Sequence, residues 1–445
     1  MAYLLKKVLS VLMLLSLMNS SLVFADPGAN ETAELRKEVA ELKSRLAAME
    51  IKLQQVSESK AARPQAAAVP ESVSPSPSGP ADIVTAFAKE IEVHGFVDTS
   101  YIFNTNTPVS PNARTNNLRL FDTEANGFML NMTQINFEKP ISKESPMGFR
   151  VDLDYGQDAR LIHSNGLGAA GDEFDLQQAY AQFYVPFTLP LMNALSFKIG
   201  KFATLHGAEV IESVNNWNFS RSYLFAYAIP FTHTGIRAYY KPFESVPIES
   251  YIGIVNGWDQ VTDLNKAKTV EAVVSVTPTD KLSFSVGGMF GPERADSDKD
   301  YRDLIDVVAT YKATDKLTLK VNYDYGWERN GASALGGYTD GKDATWDGVA
   351  LYAKYDILDW WAISGRAEYF HDRDGVRTQS LVSATMPISD LDLMEYTLTS
   401  EFKFWKNLIG RLEYRYDKAS GQVFTKDKLT ANNQSTIAAE IIAKF

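Results

Sequence analysis

The chain has 445 residues, of which 12% are aromatic, and it carries a formal net charge of −11 with a pI of about 5.1. A chain this acidic lacks the basic footprint of a nucleic-acid binder, so we expect no nucleic-acid partner. The sequence contains no cysteine, which excludes disulfides, thiolate metal sites and thiol catalysis.

Residues 1–25 have the pattern of an export signal. Two lysines form a charged start, and residues 8–17 form an apolar core that is too short to span a bilayer. Val23 and Ala25 place compact side chains at the positions that a cleavage site requires. We therefore predict a signal peptide, and the short apolar run disfavours the alternative of a membrane anchor.

Residues 26–58 contain a heptad pattern, in which apolar residues alternate at spacings of four and three. Glu38 can face Lys43 of a partner helix. In the same way Arg45 can face Glu50, and such opposite charges favour parallel self-association. The alternative, one amphipathic helix packed on its own domain, would need a wider apolar stripe. The seam of the predicted coiled coil is formed by Leu35, Val39, Leu42, Leu46, Met49, Leu53 and Val56.

Residues 59–89 are rich in alanine, proline and serine. A segment of this composition cannot form a core, so we predict an extended linker. At roughly 3.1 Å per residue, such a linker could reach some tens of ångströms.

Residues 90–445 have a hydrophobic pattern with a period of two, which is typical of strands with one apolar and one polar face. Residues 317–325 show it clearly. The last strand, residues 435–445, ends on a phenylalanine, as expected of a strand that pairs with the first and closes a barrel. We predict about sixteen antiparallel strands, and the facing of those near 128–138 and 249–257 is ambiguous.

The predicted connections alternate between short turns and long loops, which is the layout of an outer-membrane barrel. Turns such as 277–281 and 313–316 are short, whereas 105–125 and 371–390 are long and rich in glycine, asparagine, aspartate and serine. We therefore predict an all-β transmembrane barrel over residues 90–445, with the coiled-coil helix that precedes it in the periplasm. The alternating loop lengths, the export signal and the final phenylalanine disfavour a soluble propeller or sandwich.

The polar faces of the strands would line the interior of this barrel. They carry charges of both signs, too many for a dry core, and a barrel of this size leaves room for an aqueous channel. The mixture of signs argues against strong intrinsic ion selectivity. Alternatively, these charges only neutralise one another across the lumen. The arginines that we expect on this wall are Arg150, Arg237, Arg366, Arg411 and Arg415.

The longest loop, residues 203–230, is too apolar and aromatic for a mobile surface loop. A loop of this kind can fold into the barrel and narrow the pore. The alternative is a loop that caps the outer mouth or packs at a subunit contact. The candidate constriction groups are Glu209, Glu212, Arg221 and the wall residue Arg237.

Two stretches resemble a known family. Residues 93–101 (VHGFVDTSY) and residues 207–235, which include NFSRS at 218–222 and PFTHTG at 230–235, are similar to the OmpL-like β-barrel porins. This resemblance covers residues 91–445. The order of coiled coil and barrel also resembles the trimeric dicarboxylate-type porins. Both resemblances imply passive diffusion of small hydrophilic solutes, and the second implies homotrimers.

No motif for a nucleotide, metal or hydrolytic centre is present, and the five histidines share no ligand spacing, so we expect no enzyme activity, metal or cofactor. The leading hypothesis is a porin embedded in the outer-membrane lipid of a Gram-negative bacterium, which passes small hydrophilic solutes and ions as a homotrimer. The alternative is a structural barrel that tethers the outer membrane to the periplasmic cell-wall layer through its coiled coil.

Overall fold

The computed structural model describes residues 89–109, 115–169, 171–185, 194–242, 246–295, 297–334, 337–338, 341–378 and 390–445. Sixteen strands in these residues form one closed antiparallel barrel, which confirms the predicted fold of the strand region. They are β1 Glu92–Asn104, β2 Gly127–Lys139, β3 Met147–Tyr155, β4 Phe174–Tyr184, β5 Ala194–Ala203, β6 Thr232–Lys241, β7 Ile248–Val255, β8 Thr269–Thr279, β9 Leu282–Pro292, β10 Tyr301–Lys312, β11 Leu317–Glu328, β12 Ala344–Leu358, β13 Trp361–Asp372, β14 Leu391–Trp405, β15 Leu408–Ala419 and β16 Asn433–Lys444.

The sheet closes because β1 pairs with β16 as well as with β2. Phe96 lies opposite Lys444 in the closing ladder. Beyond it, the N–H of Phe445 donates to the carbonyl of Gly95 (2.9 Å), and the N–H of Gly95 donates to the carbonyl of Phe445 (3.1 Å). Closure satisfies backbone groups that a sheet edge would leave unpaired, which is required in lipid because lipid offers them no hydrogen-bond partner.

Side chains alternate between the two faces of the wall. On β14, Tyr396 and Leu398 are 55% and 57% exposed, whereas the alternate residues Glu395 and Thr397 are buried. The outward face is the apolar one, as expected where lipid covers the barrel.

The structure resolves the facing of the two ambiguous strands, and for β2 it shows a local cause. The register of β2 against β1 skips Asn131, so this residue forms a bulge, and Asn131 and Met132 are both buried. Because a bulge shifts the alternation by one residue, no single period fits this strand. On β7, Ile252 and Ile254 are the exposed, outward residues.

The connections are short at one end of the barrel and long at the other. Residues 280–281 and 406–407 are tight turns, whereas 204–231 and 256–268 are long connections at the opposite end. Because short turns face the periplasm in barrels of this kind, the long connections mark the outer end. Near the periplasmic turns, the rings of Trp361 and Phe402 stack with centroids 6.2 Å apart, which fits an aromatic girdle at a membrane interface.

The long connections contain helical pieces. Helix α1 spans Gln157–Ile162, a 3-10 turn spans Ser213–Asn215, and a π-helical turn spans Leu224–Ala228. The last two lie in the connection between β5 and β6, which therefore has internal structure of its own.

The predicted signal peptide at 1–25, the coiled coil at 26–58 and all but the last residue of the linker at 59–89 lie outside the described residues, and they stay predictions. Among the residues that the structure describes, no helix is long and apolar enough to cross a membrane.

Gly95 is packed so closely that a side chain there should weaken barrel closure. A Cβ atom on Gly95 would lie 2.5 Å from the carbonyl oxygen of Gln134 and closer still to the ring of Phe445. We expect Gly95→Val to lower the free energy of unfolding by about 1–3 kcal/mol, because overpacking forces backbone shifts. Urea unfolding in detergent micelles measures the change.

Gly365 supplies the matched control. The nearest atom to a Cβ built on Gly365 is the carbonyl oxygen of Thr397, at 3.8 Å, so this position has room for a side chain. Gly365→Val should therefore leave the unfolding midpoint close to that of the wild type. Equal losses at the two positions would show that closure does not depend on the packing around Gly95.

Candidate functional site

The connection between β5 and β6, residues 204–231, folds into the barrel, and we call it the inserted segment. Its base is closed by a hydrogen bond from the N–H of Thr204 to the carbonyl of Phe231 (2.9 Å). Its chain then reaches the wall on the far side, where the amide of Asn218 donates to the hydroxyl of Thr399 on β14 (2.7 Å). The loop predicted at 203–230 thus lies inside the barrel rather than over its mouth.

Arg366 on β13 joins the inserted segment to the wall. Its guanidinium pairs with Glu209 of the segment (2.6 Å) and with Glu395 on β14 (2.5 Å). It also donates to the carbonyl of Ser220 (2.6 Å). All of these side chains are buried, so each charge depends on its partner, because an unpaired buried charge would be strongly destabilising.

Arg411 on β15 makes a second junction. It donates to the carbonyls of Ser213 (3.0 Å) and Asn216 (2.8 Å) in the inserted segment. Its charge is balanced by Glu401 on β14 (2.8 Å) and Glu440 on β16 (3.1 Å). The segment is therefore held through its backbone by a guanidinium that the wall already neutralises.

Two wall carboxylates hold the segment by accepting backbone hydrogen bonds. Glu413 accepts from the N–H groups of Phe219 (2.7 Å) and Ser220 (3.0 Å). Glu368 accepts from the next pair, Tyr223 and Leu224, each at 2.6 Å. The period-two pattern places both glutamates on the inner wall, but it carries no signal for these long-range anchoring contacts, which the sequence reasoning missed.

Arg415 on the wall contacts Arg221 of the inserted segment. Arg415 on β15 donates to the backbone carbonyl of Arg221 (2.5 Å) and pairs with Asp417 (2.8 Å). The Arg221 side chain donates to the carbonyl of Phe219 (2.7 Å) and lies 3.7 Å from Asp158 of α1. Arg221 is thus buried inside the filled part of the barrel and is not a free charge on an open pore.

The other three predicted site residues lie on the opposite side of the barrel. Arg237 on β6 pairs with Glu271 on β8 (2.6 Å), and Arg150 on β3 pairs with Asp152 (2.9 Å). Glu212 accepts a hydrogen bond from Gln177 on β4 (2.6 Å). The structure therefore brings Glu209, Arg221, Arg366, Arg411 and Arg415 together where the segment meets β13–β16, and keeps Glu212, Arg150 and Arg237 apart from them.

A polar cavity of about 430 Å³ lies at the periplasmic end, and we call it the vestibule. Arg150 and Glu212 line it together with Lys444 and Phe445. On another part of the wall Lys320, on β11, is partly exposed and donates to the carbonyl of Ala208 in the inserted segment (2.9 Å). The charged side chains of the interior that solvent can reach, such as Arg150, Glu212 and Lys320, thus lie on the periplasmic side of the inserted segment.

The outer half of the barrel is filled. Each of its sixteen strands contributes an inward side chain that is buried, so the described part of this half is not the aqueous channel that the charged wall predicts. The space is taken by long connections that fold inward and pack their aromatic side chains together. The buried inward residues include Ile102, Asn131, Asp154, Gln177, Phe202, His233, Val255, Val273, Met289, Leu304, Asp324, Trp346, Phe370, Leu393, Arg415 and Thr436.

Metal ligation finds no support in the geometry of the described residues. Among them, no group of three or more His, Asp or Glu side chains is arranged to hold a metal ion. His233, for example, lies 3.2 Å from the carbonyl of Gly257 and 3.2 Å from the hydroxyl of Thr204, which are ordinary hydrogen-bond partners.

A closed sixteen-stranded antiparallel barrel, with an apolar outer face, a charged inner wall and a connection folded inside it, is the architecture of an outer-membrane porin. The model of the family described as putative beta-barrel porin-2, OmpL-like, matches residues 90–445. The chain therefore belongs to this family, as the resemblance of its motifs predicts. Family and fold indicate a channel rather than an enzyme, located in the outer membrane of a Gram-negative bacterium.

Solved structures agree on the fold. The chain is similar to an anion-selective porin from Comamonas acidovorans, with a TM-score of 0.52 and 11% identity over 80% of this chain and 99% of that one. It is also similar to the channel DcaP of Acinetobacter baumannii (TM-score 0.50, 13% identity, 80% and 97% covered). OmpT of Vibrio cholerae gives a TM-score of 0.50 at 11% identity, with the same coverage. No curated protein matches the sequence.

Glu209 should make the attachment of the inserted segment sensitive to pH. Burial opposes ionisation of this carboxyl, but Arg366 and the N–H of Ser222 outweigh burial and lower its pKa below the ordinary value of 4.5. A carboxyl with a lowered folded-state pKa stabilises the protein fully above its unfolded-state pKa, and this contribution is lost as the pH falls through the folded-state value. We expect Glu209→Gln to lower the free energy of unfolding by about 1.5–3 kcal/mol at neutral pH.

Denaturant unfolding in micelles, from neutral to acidic pH, measures this effect. The difference between wild type and Glu209→Gln should shrink as the solution becomes acidic, since the wild-type carboxyl then takes up a proton. Glu92→Gln, at an exposed site on β1, is the control and should change little at any pH. A pH-independent difference for Glu209→Gln would contradict the ionised pair with Arg366.

Proposed function

We propose that the chain is a porin that allows passive diffusion of small hydrophilic solutes and ions across the outer membrane. The observation that carries this proposal is the inserted segment, which crosses a charged interior and is anchored by Arg366, Arg411, Glu368 and Glu413. A segment held in this way narrows the interior of the barrel, which suits a pathway limited to small solutes.

Within this proposal, the predicted constriction residues divide into two roles. Glu209 and Arg221 are buried in contacts with the wall or with α1, so they set the position of the segment. Glu212 is partly exposed beside the vestibule, and Lys320 is partly exposed on β11. We propose that these two charges act on passing ions. Because the two charges have opposite signs, their effects on ion selectivity balance one another, and the selectivity of the pore is weak.

We further propose that the mature protein is a homotrimer whose parallel coiled coil lies in the periplasm. The heptad seam over 26–58 and its complementary charges support self-association. The linker at 59–89 would join each helix to its barrel, and residues 1–25 would direct export.

The second candidate function is a structural barrel that tethers the outer membrane to the periplasmic cell-wall layer. The filled outer half favours this function, because a barrel can serve as an anchor without a water-filled pathway through it. The two functions differ in one measurable property, which is the conductance of the inserted protein.

Single-channel recording of the refolded protein in a planar bilayer, under a salt gradient, distinguishes these functions. Conductance steps would support the porin, and closure in groups of three would support the trimer. A silent bilayer, with insertion verified by heat-modifiable mobility on a gel, would reject the diffusion porin and favour the tether.

The accessible charges near the inserted segment should control ion selectivity in opposite directions. We expect Lys320→Gln to shift the reversal potential toward cations and Glu212→Gln to shift it toward anions, because each change removes one accessible charge and keeps the size of the side chain. Lys428→Gln, at an exposed outer position beyond the wall, is the control. Shifts of the same sign, or a shift for the control alone, would contradict the assignment.

A further inference from the structure

The connection between β1 and β2 folds inward at the outer end of the barrel. Within this connection, residues 115–126 carry side chains that are almost fully buried, among them Leu118, Arg119, Phe121 and Asp122. A long loop at this end would usually be exposed to solvent. Residues 115–126 are instead packed as if they belonged to the interior.

Arg119 fixes these residues to the wall. Its guanidinium donates twice to the carboxylate of Asp417 on β15 (2.6 and 3.0 Å) and once to the hydroxyl of Thr436 on β16 (3.3 Å). It also pairs with Asp122 of its own loop. Arg119 is thus one buried cation shared between a carboxylate of the wall and one of its own loop. Asn116 and Asn117 of the loop also accept hydrogen bonds, from Asn104 on β1 (2.8 Å) and Gln434 on β16 (2.9 Å).

Phe121 fixes the same residues to the inserted segment. Its ring lies edge-on to Phe231, with centroids 5.7 Å apart, and 5.8 Å from the ring of Phe225. The guanidinium of Arg221 lies over its face, 4.6 Å from the centroid. An aromatic cluster of this kind excludes water from the space between the segment and the loop.

These contacts can separate without opening the wall. Asp417 keeps a second partner, Arg415 (2.8 Å), so removal of Arg119 does not leave its charge unpaired. Leu118 has a φ of 55°, which is strained for a residue with a branched side chain, and this favours release of the loop. The barrel itself is held by the continuous ladder of strands and does not depend on the loop.

We propose that residues 115–126 form an outer gate, which is closed in this structure and latched by Arg119 on Asp417, and that solutes pass only when the gate withdraws. This inference rests on the proposed porin function. The gate is a second element that controls solute passage, in addition to the inserted segment, and it lies at the outer end of the barrel.

Two measurements on Arg119→Ala test the gate. The first is open probability in a planar bilayer, which we expect to rise strongly above that of the wild type. The second uses the absence of native cysteine: Ala125→Cys places a single thiol in the buried gate, where a membrane-impermeant maleimide reports withdrawal. We expect Arg119→Ala to raise the labelling rate roughly tenfold to 100-fold, since alanine cannot make the hydrogen bonds of Arg119 to the charged Asp417.

Phe121→Ala is the second variant, because it weakens the gate while every member of the ion pairs stays in place, and it should raise both readouts in the same direction. Lys428→Cys, exposed at the outer end, is the labelling control and should react at the same rate in all backgrounds. Retained heat-modifiable mobility verifies that each variant is folded.

The outcomes separate the gate from the porin. A wild type that conducts freely and labels quickly at Ala125→Cys overturns the gate and leaves the porin. Variants that label quickly while every bilayer stays silent support the withdrawal of residues 115–126 but overturn the porin, and with it the role of these residues in solute passage. Variants that stay silent and protected overturn the gate and the porin together.

Discussion

The structure depends on one constraint: lipid offers no hydrogen-bond partner, so the sheet must close and its polar side chains must face inward. The bonds between Gly95 and Phe445 complete that closure. Closure in turn crowds charges of both signs into a confined interior, where each needs a partner. The inserted segment supplies many of these partners from its backbone, so the same contacts that neutralise the wall also position the segment.

The architecture of the wall could be predicted from the sequence, because alternation along each strand is a local pattern. The bulge at Asn131 was beyond reach, since it is visible only in the register between two strands. The sequence alone could not decide where the inserted segment lies, for a related reason. Its anchors, Glu368 and Glu413, bind backbone groups more than a hundred residues away in sequence, and no local periodicity encodes such pairs.

The interior also shows why counting lumen charges does not give selectivity. Arg366, Arg411 and Arg415 are among the arginines that a sequence reading assigns to a pore, yet each is buried among carboxylates and backbone carbonyls. Their charge is committed to holding the fold. Among the described residues, partly exposed groups such as Lys320, Glu212 and Arg150 are the ones that can act on a solute. Sequence reasoning could list the charges but could not tell structural from accessible ones.

The backbone hydrogen bonds by which Glu368 and Glu413 hold the inserted segment have a consequence for engineering. Each carboxylate holds two consecutive main-chain N–H groups, at Tyr223 and Leu224 and at Phe219 and Ser220, so these bonds do not depend on the identity of the side chains. Any residue except proline can make them. A substitution at one of these four positions therefore keeps the docking point, provided that the new side chain fits the buried packing around it.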